Sequence, residues 1–447
     1  MQTTTRRLAL SLLILLCVAL GATLLTSPAS TAASSERAAA ATYPAVKPLP
    51  RTFLWGIATS GFQSEGHSPA SNWTRYVKAS KTDDPIENSV DFRHRWRGDI
   101  ARAKHLGVKV YRLSVEWARV EPRPGHWSKS AWHFYDRVIR RIHRAGMRPM
   151  ISLDHWVYPA WEAKRGGWKH AAMLTDWLRN ARKVVNRYAK YHPMWVTINE
   201  PTAYLLQELQ NGGLGPTDVL GFLNDLVKAH DTIYDYIHAH QKNAMVTSNV
   251  AYIPGVEVAL DALMLDRIAK KLDFIGVDYY YPASLPDPLG GVAGLAGQSW
   301  KASLSADGIY YSLRHYAHQF PRLPLYVVEN GMPTDNGKPR ADGYTRSAYL
   351  RDTVYWLQRA RDDGIDVIGY NYWSLTDNYE WGSYRPRFGL YTVNVLTDPK
   401  LRRHPTDAVK AYRSITGHRG VPRHYQPTRK PDFCSLVDFL SSCLDPA

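Results

Sequence analysis

Two glutamates stand where short apolar runs end. Glu200 closes Trp195–Asn199 and is followed by Pro201; Glu329 closes Leu325–Glu329 and is followed by Asn330-Gly331. If both runs are strands of one closed sheet, the two carboxylates face each other across its mouth. Such a pair can cleave a glycosidic bond. One carboxyl, protonated, donates to the leaving oxygen; the other, ionised, attacks the anomeric carbon. Burial and mutual repulsion raise one pKa while a nearby cation holds the other down, and Arg112 is the candidate cation. A strand-end glutamate also serves as a loop anchor or helix cap, so position alone does not decide.

The scaffold such a pair needs is legible along the chain. Short β-branched or aromatic runs alternate with amphipathic stretches from about residue 51 to 417. The strand candidates are Phe53–Thr59, Val110–Val115, Arg148–Asp154, Trp195–Asn199, Met245–Ala251, Asp273–Tyr279, Leu325–Glu329 and Val367–Trp373. Helical patterns lie between them, among them Trp132–Ala145, Leu174–Tyr191, Leu220–His240, Val256–Leu272 and Arg346–Asp362. This alternation predicts an α/β chain whose catalytic domain is a single (β/α)8 TIM barrel. An open doubly wound sheet is disfavoured, because no Gly-rich phosphate turn follows an early strand.

In such barrels the chemistry sits at the C-terminal ends of the strands. Those ends carry Gln63 and Glu65, Arg112, His155-Trp156, Asn199-Glu200, Asp278-Tyr279-Tyr280, Glu329-Asn330, and Trp373 leading to Asp377-Asn378-Tyr379-Glu380-Trp381. Carboxylates, amides and aromatics thus ring one mouth. No His/Cys/Asp cluster has metal-ligand spacing, and no metal or cofactor is implied.

These segments resemble glycoside hydrolase family 1, the β-glucosidase and β-galactosidase group. The resemblance runs from about Phe53 to Gly417 and is carried by FLWGIATSGFQSEG (53–66), YRLSVEWARVEP (111–122), DHWVYP (154–159), TINEP (197–201), DFIGVDYY (273–280), VVENG (327–331), WSLTDNYEW (373–381) and RFGL (387–390). It implies that Glu200 is the acid/base and Glu329 the nucleophile of a retaining exo-β-glycosidase, with β-glucosides first among substrates. It further implies that Asn199 binds the sugar 2-hydroxyl and that Arg112 and Tyr280 hold Glu329. Gln63, His155 and Glu380 would bind other hydroxyls, Trp373 would floor the ring, and Trp381 would add an edge. Glu65 is expected to brace the first loop, and Asp377 and Asn378 to shape theirs. Glu380 is retained, while Pro386 and Phe388 stand where the family's 6-phosphoglycosidases place a Lys and a Tyr, so unphosphorylated sugars are expected. Two alternatives stay open: a transglycosidase with the same residues, and a non-catalytic envelope carbohydrate-binding protein.

The chain departs from the family pattern in places. Asp278 stands where the family usually has Asn, and an extra carboxylate there would raise a neighbour's pKa. The segment between Tyr252 and Asp273 is short, which implies a more open cleft.

Composition bounds the rest. The chain has 447 residues, a formal net charge of +16, and 15 Trp and 28 Tyr against 10 Phe, an aromatic bias suited to stacking on a substrate while hydrogen-bonding it. The basic residues are spread and no nucleic-acid-binding motif appears, so the charge fits a solvated surface near an anionic cell envelope better than nucleic acid. Arg6 and Arg7 precede an apolar run from about Leu8 to Leu25 and a small-residue stretch ending at Thr31-Ala32-Ala33. That reads as a signal peptide over 1–33 of an exported protein, or as an uncleaved anchor; either puts the barrel outside the cytoplasm. Residues 34–50 read as an Ala/Ser/Pro-rich linker and 418–447 as a C-terminal tail. Cys434 and Cys443 in that tail are disulfide candidates, the alternative being two unpaired thiols.

Overall fold

The computed structural model describes residues 43–79, 82–280 and 298–431; the segment 1–33 expected as a signal, and Cys434 and Cys443, lie outside these. Nine parallel strands form the main sheet: β1 (Leu54–Ala58), β2 (Val110–Ser114), β3 (Arg148–Asp154), β4 (Met194–Ile198), β5 (Met245–Thr247), β6 (Val250–Ala251), β7 (Ile275–Asp278), β8 (Leu325–Asn330) and, after the short β9 (Thr334–Asp335), β10 (Val367–Trp373). Their spatial order is β5-β4-β3-β2-β1-β10-β8-β7-β6. The two edge strands, β5 and β6, are separated in sequence only by Ser248 and Asn249. They are two halves of one stave, and their continuity closes the sheet into a (β/α)8 barrel.

Both faces of the sheet are covered, so the strands read as near-continuous apolar runs rather than alternating ones. Inside, Val110, Met150, Met194, Val196, Phe274, Tyr326 and Val328 plug the barrel below its mouth. Outside, the sheet packs on the helix ring in one large core cluster. The helix Lys129–Arg144 shows why: Trp132, Tyr135, Val138, Ile139 and Ile142 recur on its buried face, and the Ser128 hydroxyl caps its start by accepting from Ala131 N at 3.2 Å.

The helices Val219–His240 and Arg346–Asp362 lie where the periodicity places them. The helix Met173–Tyr188 ends in a 3-10 turn, Ala189–Tyr191. The stretch expected as one helix over Val256–Leu272 is three pieces, Glu257–Leu263, Leu265–Ile268 and Ala269–Lys271, because Met264 leaves helical geometry at φ −140°. The fifth run, expected as one strand over Met245–Ala251, is broken at Ser248-Asn249.

The boundary drawn at residue 50 falls inside the packed unit. Val46 and Leu49 are buried, and their amides donate to Arg423 O and Arg419 O. The tail as far as Thr428 is also docked: Tyr425 and Thr428 donate to Asp352 on the helix Arg346–Asp362. Two apolar anchors in a Pro-rich stretch are too few to register as a pattern, which is why this segment reads as linker.

Candidate active site

Glu329 reaches the mouth through an irregularity in β8. Tyr326 and Val328 point into the barrel, so strict alternation would put Asn330 inside and Glu329 outside. The register shifts against β7, where Val277 pairs Val327 but Asp278 pairs Glu329. Such a bulge re-aims a side chain. Asn330 accordingly turns outward, donating to Tyr279 O and to Tyr349 Oη on the helix ring. Glu329 turns inward, pairs with the Arg112 guanidinium and accepts from Tyr280 Oη at 2.8 Å. A carboxylate with one buried guanidinium and one phenol at its oxygens is held in one orientation beside a compensating charge.

Arg112 is fully buried and tied on several sides. Its Nε donates to Ser152 Oγ at 3.0 Å, and one of its terminal nitrogens donates to Asn199 Oδ1. Asn199 Oδ1 also accepts from Asn249 Nδ2 at 2.8 Å. With its oxygen engaged twice, the Asn199 amide has its NH2 left to aim at Glu200 Oε2, 3.5 Å away, and at the open mouth.

Glu200 is positioned by its backbone. It sits in the left-handed region at φ 37° and precedes the helix Pro201–Asn211, with Pro at the first helical position. Its amide donates to Asn249 O at 3.1 Å. That helix is anchored by Glu208, which accepts from Asn72 at 3.2 Å, Tyr76 at 3.2 Å and Tyr158 at 2.9 Å. Among the described residues, no cation pairs with Glu200 as Arg112 does with Glu329. Burial, then the charge of Glu329, pushes the Glu200 carboxyl up to about 8 against the downward pull of Arg112. At neutral pH it therefore holds its proton. The site thus holds one carboxyl whose pKa is raised and one paired with a buried cation, two unlike environments of the kind that let a carboxyl pair divide acid and nucleophile between them.

The expected sugar-binding residues line the same mouth. Trp373 donates its indole N–H to Glu380 Oε1 at 3.0 Å, and Gln63 donates to Asn378 Oδ1 at 3.2 Å and Glu380 Oε2 at 3.4 Å. Burial pushes Glu380 up to about 8 as well. Its partners among the described residues are Gln63, Trp373 and Asn378, none of them a cation. His155 lies nearly parallel to Trp373 (ring centroids 6.0 Å, 10°) and to Trp381 (5.7 Å, 19°). Burial first, and Arg112 second, hold His155 neutral, so it can donate from one ring nitrogen. Trp156 stacks on Trp381 at 4.5 Å and donates to Asn199 O at 2.7 Å, which makes it a wall that also fixes the Asn199 backbone.

The loops beneath are braced by buried polar groups. Glu65 pairs with Arg119 at 2.5 Å and accepts from Tyr135 at 2.8 Å. A Cβ on Gly61 would lie 2.3 Å from Glu116 Cγ, so glycine lets the short helix Gly61–Ser64, which carries Gln63, settle there. Asp377 accepts from Gly389 N and Val393 N at 2.9 Å each and shapes the loop before Glu380.

One member of the network around the carboxylates, Asn249, escapes a reading of the sequence, whereas Asp278 is expected beside the pair. Asn249 donates to both Asn199 and Asp278, joining the fifth stave to the carboxylate pair. Its one signal is the polar Ser248-Asn249 step within an apolar run. Asp278 is buried beside both glutamates, and burial followed by the charges of Glu329 and Glu200 raises its pKa well above the usual carboxylate range. Separately, among the described residues His67, Asp91 and His94 bring ligand-type atoms within 4.8 Å of one another. They come from a loop and a helix start well apart in sequence, so spacing could not show the trio, which shares no residue with the mouth.

A profile of glycosyl hydrolase family 1 matches residues 45–265 and 293–421. Beta-glucosidase A of Thermotoga maritima is 25% identical over 431 residues, covering 80% of this chain and 95% of that protein. A beta-galactosidase of Sulfolobus acidocaldarius is 26% identical, covering 85% and 97%. The galactolipid galactosyltransferase SFR2 of Arabidopsis thaliana is 28% identical over 338 residues, covering 66% of this chain and 53% of its own length. Among solved structures, the beta-glycosidase BGL167 superposes with a TM-score of 0.71 at 26% identity, covering 86% of this chain and 100% of that one.

Proposed function

The chain belongs to glycosyl hydrolase family 1, and from that premise we propose that it is an exported exo-β-glycosidase acting on unphosphorylated sugars, with β-glucosides preferred. The observation that carries the reading is the asymmetry of the two carboxylates: Glu329 is paired with Arg112 and Tyr280, while Glu200 is held protonated. In the first step Glu329 attacks the anomeric carbon and Glu200 gives its proton to the departing oxygen. The C–O bond to the aglycone breaks, and a glycosyl ester to Glu329 forms. Forming that ester removes the charge on Glu329, one of the causes that raise Glu200. Glu200, now ionised, takes a proton from water as the water's oxygen attacks the anomeric carbon and frees Glu329. Asn199, held by Arg112 and Asn249, donates to the 2-hydroxyl; Gln63, His155 and Glu380 hold the others, over Trp373. β-Glucoside preference follows the name of the Thermotoga relative, and the Sulfolobus relative makes β-galactosides the comparison substrate.

A panel of p-nitrophenyl β- and α-glycosides, with the first-released anomer followed by NMR, tests this. Turnover of β-glucosides with β-glucose released first is expected. First release of the α-anomer, activity confined to 6-phosphoglycosides, or no turnover by folded protein would overturn it.

A second reading, sugar transfer to an acceptor other than water, is favoured by two observations. One is the likeness to a galactosyltransferase. The other is the short three-piece segment between Tyr252 and Asp273. Product analysis with excess acceptor sugar separates it from hydrolysis. Export rests on the N-terminal pattern, and detection of the mature protein outside cells, starting near Ser34, is its test.

A further inference from the structure

On the outside of the barrel, the helix Phe92–His105 and the loop 400–404 enclose a groove of about 630 Å³. Six of its lining residues are Arg95, Arg97, Arg102, Lys400, Arg402 and Arg403, and among the described residues no carboxylate lines it. The carboxylates that pair with these cations lie behind or beside the groove. Buried Asp99 takes Arg403 at 2.8 Å and Arg102 at 3.3 Å; Asp91 takes Arg95 at 3.5 Å, and Asp398 takes Arg402 at 3.8 Å. Arg97 lies over the Trp96 ring at 4.3 Å, and Lys400 is exposed.

Three carboxylates thus stand against six cations, and the excess positive charge, gathered in a concavity, is self-repelling and focuses an outward positive field. A bound anion removes that penalty. Guanidinium forks suit the planar or tetrahedral oxygens of phosphates, which they take two at a time. The shape narrows the class. Arg403 at the floor is 2% exposed and tied to Asp99, so the cations a ligand can meet are those of the groove's walls, which a chain can thread between and a flat bilayer touches only at the rim. No Phe, Tyr or Trp is among the described residues that line the groove, so bases lack the broad aromatic platform on which they stack. We propose that this groove binds a flexible, phosphate-bearing polyanionic chain and so holds the enzyme on an anionic polymer while the mouth stays open to substrate. It shares no residue with the catalytic site and stands or falls independently of the substrate assigned there.

The test uses the full chain with long-chain inorganic polyphosphate as the probe, read by anisotropy over a series of salt concentrations. A groove variant, Arg97→Glu with Lys400→Glu and Arg402→Glu, is compared with a control of equal charge change at exposed sites, Arg123→Glu with Lys129→Glu and Lys169→Glu. The groove variant should bind at least about tenfold more weakly, with a salt slope shallower by about 2–3, while the control loses much less. Melting temperature and turnover of an aryl glycoside should be unchanged in both. Equal losses in the two variants would show diffuse surface charge and overturn the proposal. So would groove-dependent binding to phosphatidylglycerol/phosphatidylcholine vesicles without groove-dependent binding of polyphosphate. Arg97→Gln with Lys400→Gln repeats the comparison with a milder charge change.

Discussion

Glu329 and Glu200 share a side chain and a mouth, yet the chain treats them in opposite ways. Glu329 is 4% exposed and held by a cation and a phenol, and its strand is bent to deliver it. Glu200 is 9% exposed and delivered by a left-handed residue at a helix start; among the described residues its side-chain partner is the Asn199 amide at 3.5 Å. Role is therefore set by what surrounds a carboxyl. On the proposed reading Glu329 is the nucleophile, which needs a fixed direction, and it is the paired member. On the same reading Glu200 is the acid that must become a base, whose proton affinity has to change during the cycle, and it is the member raised by its neighbour's charge.

Removing the paired member should cost most. Glu329→Ala is expected to lower kcat for any β-glycoside by about 10⁴-fold or more. Added azide should restore turnover and give the α-glycosyl azide, identified by NMR; a β-azide would place the nucleophile elsewhere. Removing the coupled member should depend on the leaving group. Glu200→Ala is expected to lose about 10²–10⁴-fold on alkyl glycosides, whose leaving oxygen needs a proton, and far less in the first step with dinitrophenyl glycosides. In the unaltered enzyme the first step needs Glu200 protonated, so kcat/KM should fall as pH rises through about 8, and that limb should vanish in Glu200→Ala. Asn249→Ala frees the Asn199 amide to turn and should cost roughly 10-fold in kcat/KM, an effect that a substrate lacking the 2-hydroxyl would not show. The smallest effect concerns Asp278. Its raised pKa means that the native state keeps a proton that the unfolded chain loses above about pH 4, so it lowers stability progressively as pH rises from there. Asp278→Asn should match the unaltered protein in Tm near about pH 4 and exceed it, on the order of a few °C, at about pH 8. An equal shift at both pH values would remove Asp278 from the electrostatic account.

The barrel is readable because each stave must be apolar on both faces, a demand that local sequence records directly. The strand-end positions of Glu200 and Glu329 are readable for the same reason, since a carboxylate is conspicuous where an apolar run stops. What sequence hides is contact across staves. Asn249 lies inside a run that reads as one unbroken strand, and its reach to Asn199 and Asp278 exists only once the barrel closes. The extra residue in β8 is equally silent, because the bulge is defined by register against β7 and not by residue type. The docking of residues 43–50 rests on Val46, Leu49, the Tyr43 ring and hydrogen bonds to the backbone at Pro44 and Lys47, which form no periodic pattern.

Three non-glycine residues of the mouth, Glu200 at φ 37°, Trp156 at φ 70° and Trp381 at φ 45°, hold a backbone conformation that glycine would adopt without cost. Each such residue carries roughly 1–3 kcal/mol of unfavourable conformation. Random variation screened for heat resistance would therefore be drawn to these positions, where the hardier protein is the one that has lost the carboxyl proposed as acid or an aromatic wall of the mouth. Durability and turnover are opposed here at identifiable codons, and a thermostable descendant of this enzyme should be sought by changes anywhere but there.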